Sequence, residues 1–82
     1  MPTLTLELHG PHITLAQAVK VVGLADSGGQ AKHLVRGGGI LVNGVIETRP
    51  GRKLMAGDHF ATGNDNEWVI GPAPPQGQGQ EP

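Results

Sequence analysis

The chain has 82 residues, a net charge of −1, no Cys, no Tyr, and one Phe and one Trp as its only aromatics. That length allows one domain with a small aliphatic core, and the missing Cys excludes disulfides, thiolate metal sites and a cysteine nucleophile. The opening MPTLTLELHG has no basic run ahead of an apolar stretch, and no apolar run approaches a membrane span. A soluble, cytoplasmic, monomeric protein without a leader is therefore expected.

Thr3 to Leu8 alternates, with Leu4, Leu6 and Leu8 on one face, which is the period of a half-buried strand. His9-Gly10-Pro11-His12 breaks it. Thr14 is placed to cap a first helix, with Gln17 reaching back to complete a capping box and Ile13 in the staple position. Leu15, Ala18, Val19 and Val22 then share one inward face. Gly23 suits the left-handed residue that ends a helix, and Leu24 can fold back on the last turn. The arrangement repeats at once. Ser27 caps a second helix, Gln30 would complete a second capping box, and Ala31, Leu34 and Val35 face inward. Gly37 to Gly39 ends it. Helices this short need to pack on each other and on a sheet.

Ile40 to Val42 reads as a short strand, and Asn43-Gly44 fits a type I′ hairpin turn into a strand from Val45 to Thr48. Further short strands are expected near Lys53–Met55, His59–Thr62 and Glu67–Ile70. Gly57-Asp58 and Gly63-Asn64-Asp65-Asn66 turn the chain between them. From Gly71 the sequence GPAPPQGQGQEP has no apolar residue beyond Ala73. A folded domain over 1–70 and a disordered tail over 71–82 are the expectation.

The charges are unevenly placed. Residues 32–53 hold five cations (Lys32, Arg36, Arg49, Arg52, Lys53) and one anion, Glu47, whereas the remainder holds one cation and six anions. Such a local field steers a charged partner even when the total is near zero. Lys32 and Arg36 are four apart on the second helix and share a face. Arg49, Arg52 and Lys53 follow the hairpin and would join that face if the hairpin folds back on the helix. Together they suit several phosphates, Arg as a bidentate fork and Lys as a point charge. Ser27-Gly28-Gly29 opens the second helix with free backbone N–H groups and little side-chain bulk, a second place for a phosphate to approach. Taken alone, that stretch is better explained as a plain capped turn, and Asp26 beside it is unfavourable to an anion. Asn43 serves the turn and offers an amide to a base or ribose.

Other chemistry is poorly represented. Ser27 is the only serine and is occupied as a cap. GGQAKHLVRGGG is Gly-rich but lacks the order of a phosphate-binding loop. His9, His12, His33 and His59 have no metal-ligand spacing. No enzyme, cofactor or metal site is expected, and Trp68 and Phe60 belong in the core rather than under a stacked base.

The ordered series Gly23-Leu24-Ala25, Ser27, Gln30-Ala31-Lys32, Leu34-Val35, Gly38, Ile40, Val42-Asn43-Gly44, Arg49, Lys53-Leu54 and Gly57-Asp58 resembles the S-four-type RNA-binding domain. That domain is named after a small-subunit ribosomal protein. SGGQAK, the early strand and the short chain are most similar to its small stand-alone bacterial members. The motif likeness spans about residues 14–60 and the general layout residues 3–70. The resemblance implies an α+β fold, two short helices packed on a small bent antiparallel β-sheet (the alpha-L motif). It also implies structured RNA, ribosomal or transfer, lying across the second helix and the following hairpin. Carried over by position, the RNA-facing residues are Ser27, Lys32, Arg36, Asn43, Arg49, Arg52 and Lys53. Many members have Arg directly after the serine, whereas Gly28 stands here, which is expected either to weaken phosphate binding at that point or to shift the task to backbone N–H groups of Gly28 and Gly29. The competing reading is a protein-interaction module that docks an acidic partner on the same basic face. A ubiquitin-like carrier is disfavoured, since the tail has no terminal Gly-Gly.

Overall fold

The computed structural model describes residues 3–8, 10–63 and 66–71. The expected disordered tail therefore lies, from Pro72 onward, outside the described residues, as do His9 and the centre of the expected 63–66 turn. Among the described residues, seven strands and two helices follow one another as β1 (Thr3–Glu7), β2 (Ile13–Thr14), α1 (Leu15–Val21), α2 (Gly28–Arg36), β3 (Ile40–Val42), β4 (Val45–Ile46), β5 (Lys53–Leu54), β6 (His59–Thr62) and β7 (Glu67–Gly71). The fold is α+β. Five strands form one sheet in the order β1-β7-β6-β3-β4, and β2 pairs with β5 in a separate two-stranded ladder.

Both helices begin and end as local chemistry dictates. Thr14 Oγ1 accepts from Gln17 N at 3.2 Å and Gln17 Oε1 accepts from Thr14 N at 3.0 Å, a complete capping box. After Val21 the chain closes a paired C-terminal motif, with Gly23 N donating to Lys20 O and Leu24 N to Val19 O. The same pair ends α2: Gly38 N donates to Val35 O and Gly39 N to Leu34 O. Gly38 holds φ +82°, a left-handed conformation that costs any residue with a Cβ. A Cβ on Gly39 would lie 2.7 Å from Leu34 Cδ1. The glycine run thus serves both a turn and a close approach.

The start of α2 departs from expectation. Ser27 Oγ accepts from Gln30 N at 3.1 Å, but Gln30 Oε1 accepts from Asp26 N at 2.8 Å and not from Ser27 N. The reach-back of the second box is therefore displaced by one residue, to Asp26 N.

The core is one cluster. Leu15, Ala18 and Val19 of α1, Ala31 and Val35 of α2, Ile40 and Val42 of β3, Leu54, Phe60 and Ile70 are all essentially inaccessible. Phe60 and Trp68 are cross-strand partners of β6 and β7, buried and stacked with ring centroids 5.3 Å apart. That pairing places the chain's two aromatics in the core.

Three of the sheet's four pairings are antiparallel, but β1 runs parallel to β7, with Thr3 opposite Glu67 and Glu7 opposite Gly71. The sheet is thus mixed rather than wholly antiparallel: β1 and β7 are distant in sequence, so no hairpin forces them to oppose. The expected leucine face of β1 is buried only at its end, Leu4 being 55 % exposed, Leu6 half-buried and Leu8 buried. An open groove of about 570 Å3, lined by Leu6, Leu8, Ile13, Gln17, Lys20 and Val21 among others, separates β1 from α1. The helix does not cover the first part of the strand. Among the described residues, no helix is long and apolar enough to cross a membrane.

Candidate nucleic-acid interface

The cations of residues 32–53 sit in two groups. Lys32 and Arg36 lie one turn apart on the exposed side of α2, whose other side buries Ala31 and Val35. Arg36 is in the last turn, where the carbonyl end of a helix favours a positive charge.

Arg49 and Arg52 lie between β4 and β5 and Lys53 opens β5; with Gly51 they line an open depression of about 530 Å3. Arg52 N donates to Arg49 O at 3.2 Å, closing a turn with Pro50 in its second position. The turn is fixed from behind. Leu15 N donates to Arg52 O at 2.8 Å and Ala16 N to Pro50 O at 3.0 Å. These are among the first amides of α1, which a helix leaves without internal acceptors. The β2–β5 ladder, Ile13 opposite Leu54 and Thr14 opposite Lys53, clamps the following residues.

Glu47 organises the side chains. It is buried yet lies outside the apolar core cluster. Its Oε2 accepts from Arg49 N at 3.1 Å and Arg49 Nε at 3.0 Å, while Oε1 accepts from Arg52 Nη1 at 2.9 Å. The Arg49 guanidinium first, and then that of Arg52, hold the Glu47 carboxyl down from 4.5 to about 2, against a smaller opposing effect of burial. Reciprocally, Glu47 raises Arg49 further above the ordinary arginine range. Sequence reasoning entered Glu47 only as one anion subtracted from a basic stretch. Its spacing, two residues before Arg49 and five before Arg52, was the available signal. β4, expected to reach Thr48, finishes at Ile46, although Glu47 N still donates to Ile40 O at 3.0 Å.

Ile46 Cγ2 lies 3.7 Å from where a Cβ on Gly38 would sit, which continues the β3–β4 hairpin register to the residues just after α2. Among the described residues, no ion pair or hydrogen bond joins Lys32 or Arg36 to residues 49–53.

The other expected residues are placed as follows. Gly28 and Gly29 open α2 with exposed backbone, and no described residue accepts from their amides. A Cβ on Gly28 would meet nothing within 4 Å. Ser27 is taken up by Gln30 N. Asn43 and Gly44 hold φ +52° and +86°, the two positive values of a type I′ turn. The Asn43 carboxamide is engaged at both ends: Oδ1 accepts from His59 N at 2.9 Å and Nδ2 donates to Asp58 Oδ1 at 3.3 Å. Its amide ties the hairpin tip to the start of β6. Among the described residues, no three of His, Asp and Glu gather where they could hold a metal ion.

Residues 6–70, a span containing both helices, the hairpin and the basic turn, match the family model described as S4 domain. The chain belongs to the S4 domain family. Over 70 residues this S4 domain is 40 % identical to an Escherichia coli (strain K12) protein named "Putative RNA-binding protein YbcJ", and the same figures hold for "Uncharacterized protein YbcJ" of Shigella flexneri. Each alignment covers 85 % of this chain and 99 % of the relative. The S4 domain match contains every candidate site residue, from Ser27 to Lys53.

Proposed function

We propose that this S4 domain is a non-catalytic RNA-binding module that recognises structured RNA, ribosomal or transfer, through phosphate and shape contacts. The observation that carries this reading is the gathering of Arg49, Arg52 and Lys53 around one open depression, on a domain of this family. The name of the Escherichia coli relative points to the same ligand class. Lys32 and Arg36 on α2 extend the contact, and the Gly28 and Gly29 amides offer donors without side-chain bulk. With both aromatics stacked on each other inside, base stacking contributes little, and sequence preference is correspondingly weak. The domain acts in the cytoplasm as a monomer, and it extends past the expected boundary at residue 70 to Gly71, which ends β7 opposite Glu7.

Competition tests the ligand class. At about 50 mM salt, a labelled folded RNA hairpin should be retained by the protein and displaced by unlabelled transfer RNA, but not by polyglutamate of matched charge concentration. Equal displacement by polyglutamate would show that the face accepts any polyanion and would favour an acidic protein partner. Absence of binding would remove the RNA reading.

A further inference from the structure

We infer that Glu47 is a positioning residue for phosphate recognition: it holds the forks of Arg49 and Arg52 in their binding arrangement, so removing its negative charge weakens RNA binding although the chain becomes more positive. This deepens the RNA-binding reading and rests on it. Simple electrostatics makes the opposite prediction, since a carboxylate beside a phosphate site repels the ligand.

The geometry favours positioning. A carboxylate offers about four acceptor sites, and Glu47 uses them on Arg49 N, Nε and Nη2 and on Arg52 Nη1. The Glu47 side chain is 10 % exposed, whereas that of Arg49 is 75 % exposed. The carboxylate therefore sits behind the guanidinium rather than beside the open depression. Arg49 meets Glu47 through one edge, Nε with Nη2, which leaves the edge carrying Nη1 to face a phosphate. Arg52, 33 % exposed, commits only Nη1 and keeps its other donors. A guanidinium has five N–H donors in a rigid fork, so one edge can be anchored while another binds.

The backbone is fixed as well, by Leu15 N on Arg52 O and Ala16 N on Pro50 O. Unanchored, two long side chains would have to be ordered when RNA arrives; here that ordering is completed in the free protein. Lys53 gains nothing from Glu47 and contributes a separate point charge.

The test is a double-mutant cycle on binding of a folded RNA hairpin at about 50 mM salt, with Glu47→Gln, Arg49→Lys and the pair. Arg49→Lys keeps the charge at an exposed position but loses the fork. Each single substitution should weaken binding on the order of tenfold, from one or two side chains no longer held in advance. The pair should be little weaker than either alone, because both remove the same anchored fork. In the free protein, the Arg49 Nε–H signal should exchange with water faster in Glu47→Gln than in wild type. Binding by Glu47→Gln as tight as or tighter than wild type would overturn the inference while leaving RNA binding intact. Fully additive losses would overturn it too, because a merely structural effect of Glu47 would not depend on the fork. Should Glu47→Gln fail to fold, Arg49→Lys decides alone, and unchanged affinity sinks the inference. A wild-type protein that binds no RNA at this salt removes the inference together with the reading beneath it.

Discussion

At the scale of single residues, the acid–base behaviour of Glu47 is the sharpest consequence of the structure. Its carboxyl is held at about 2 in the folded protein against 4.5 ordinarily, by Arg49 and then Arg52. A depressed folded value means that the pairing stabilises the fold fully above about pH 4.5 and that this contribution is lost as the pH falls through about 2. The stability difference between wild type and Glu47→Gln should therefore be flat above that window and shrink within it, in denaturant unfolding at a series of pH values. A Glu47 carboxyl resonance titrating near its ordinary value in the folded protein would contradict the pairing. Gly38 supplies a second prediction. At φ +82° an Ala is strained, so Gly38→Ala should lower stability by about 1–2 kcal/mol. Gly28→Ala should cost much less, because a Cβ there meets nothing and φ is not positive. Thermal unfolding of the two variants separates them. None of this was legible for Glu47, since spacing alone does not say which way a chain turns after a strand.

At the scale of elements, much was legible because the signals are local. Thr14 with Gln17, Gly23 with Leu24, the Gly37–Gly39 run and Asn43-Gly44 each act within a few residues, and each forms the predicted cap or turn. Where a partner is chosen by three-dimensional approach, sequence was a weaker guide. Gln30 bonds Asp26 rather than Ser27, and the Asn43 amide bonds Asp58 and His59, sixteen residues or fewer away but across a strand. Thr14→Ala should cost about 1 kcal/mol by removing one half of a complete capping box. It should also loosen the basic turn, because Leu15 and Ala16, the next two residues, donate to Arg52 O and Pro50 O. Faster amide exchange at Leu15 and Ala16 than at Val19 would register that coupling; equal exchange at all three would argue against it.

At the scale of the whole molecule, the α+β class and the stretch carrying the cations followed from the sequence and its S-four-type resemblance, whereas the parallel β1–β7 pairing and the exposed end of β1 did not. Alternation identifies a strand's faces but not which distant strand lies alongside it, or how far a helix extends over it. The near-neutral total charge conceals the feature that matters, because the anions lie mostly outside residues 32–53. Electrostatic binding by that face has a definite salt signature. If about four phosphates are contacted, log K falls against log salt with a slope of roughly −3 to −4, a loss on the order of a hundredfold between about 50 and 200 mM. The most direct test of RNA binding through α2 and the basic turn is that slope, measured for wild type and for Arg36→Ala/Arg49→Ala on a folded ribosomal RNA fragment. A steep wild-type slope that flattens by about one to two units in a still-folded double variant is the predicted result. An identical slope in both proteins, or no binding by wild type at low salt, would contradict it.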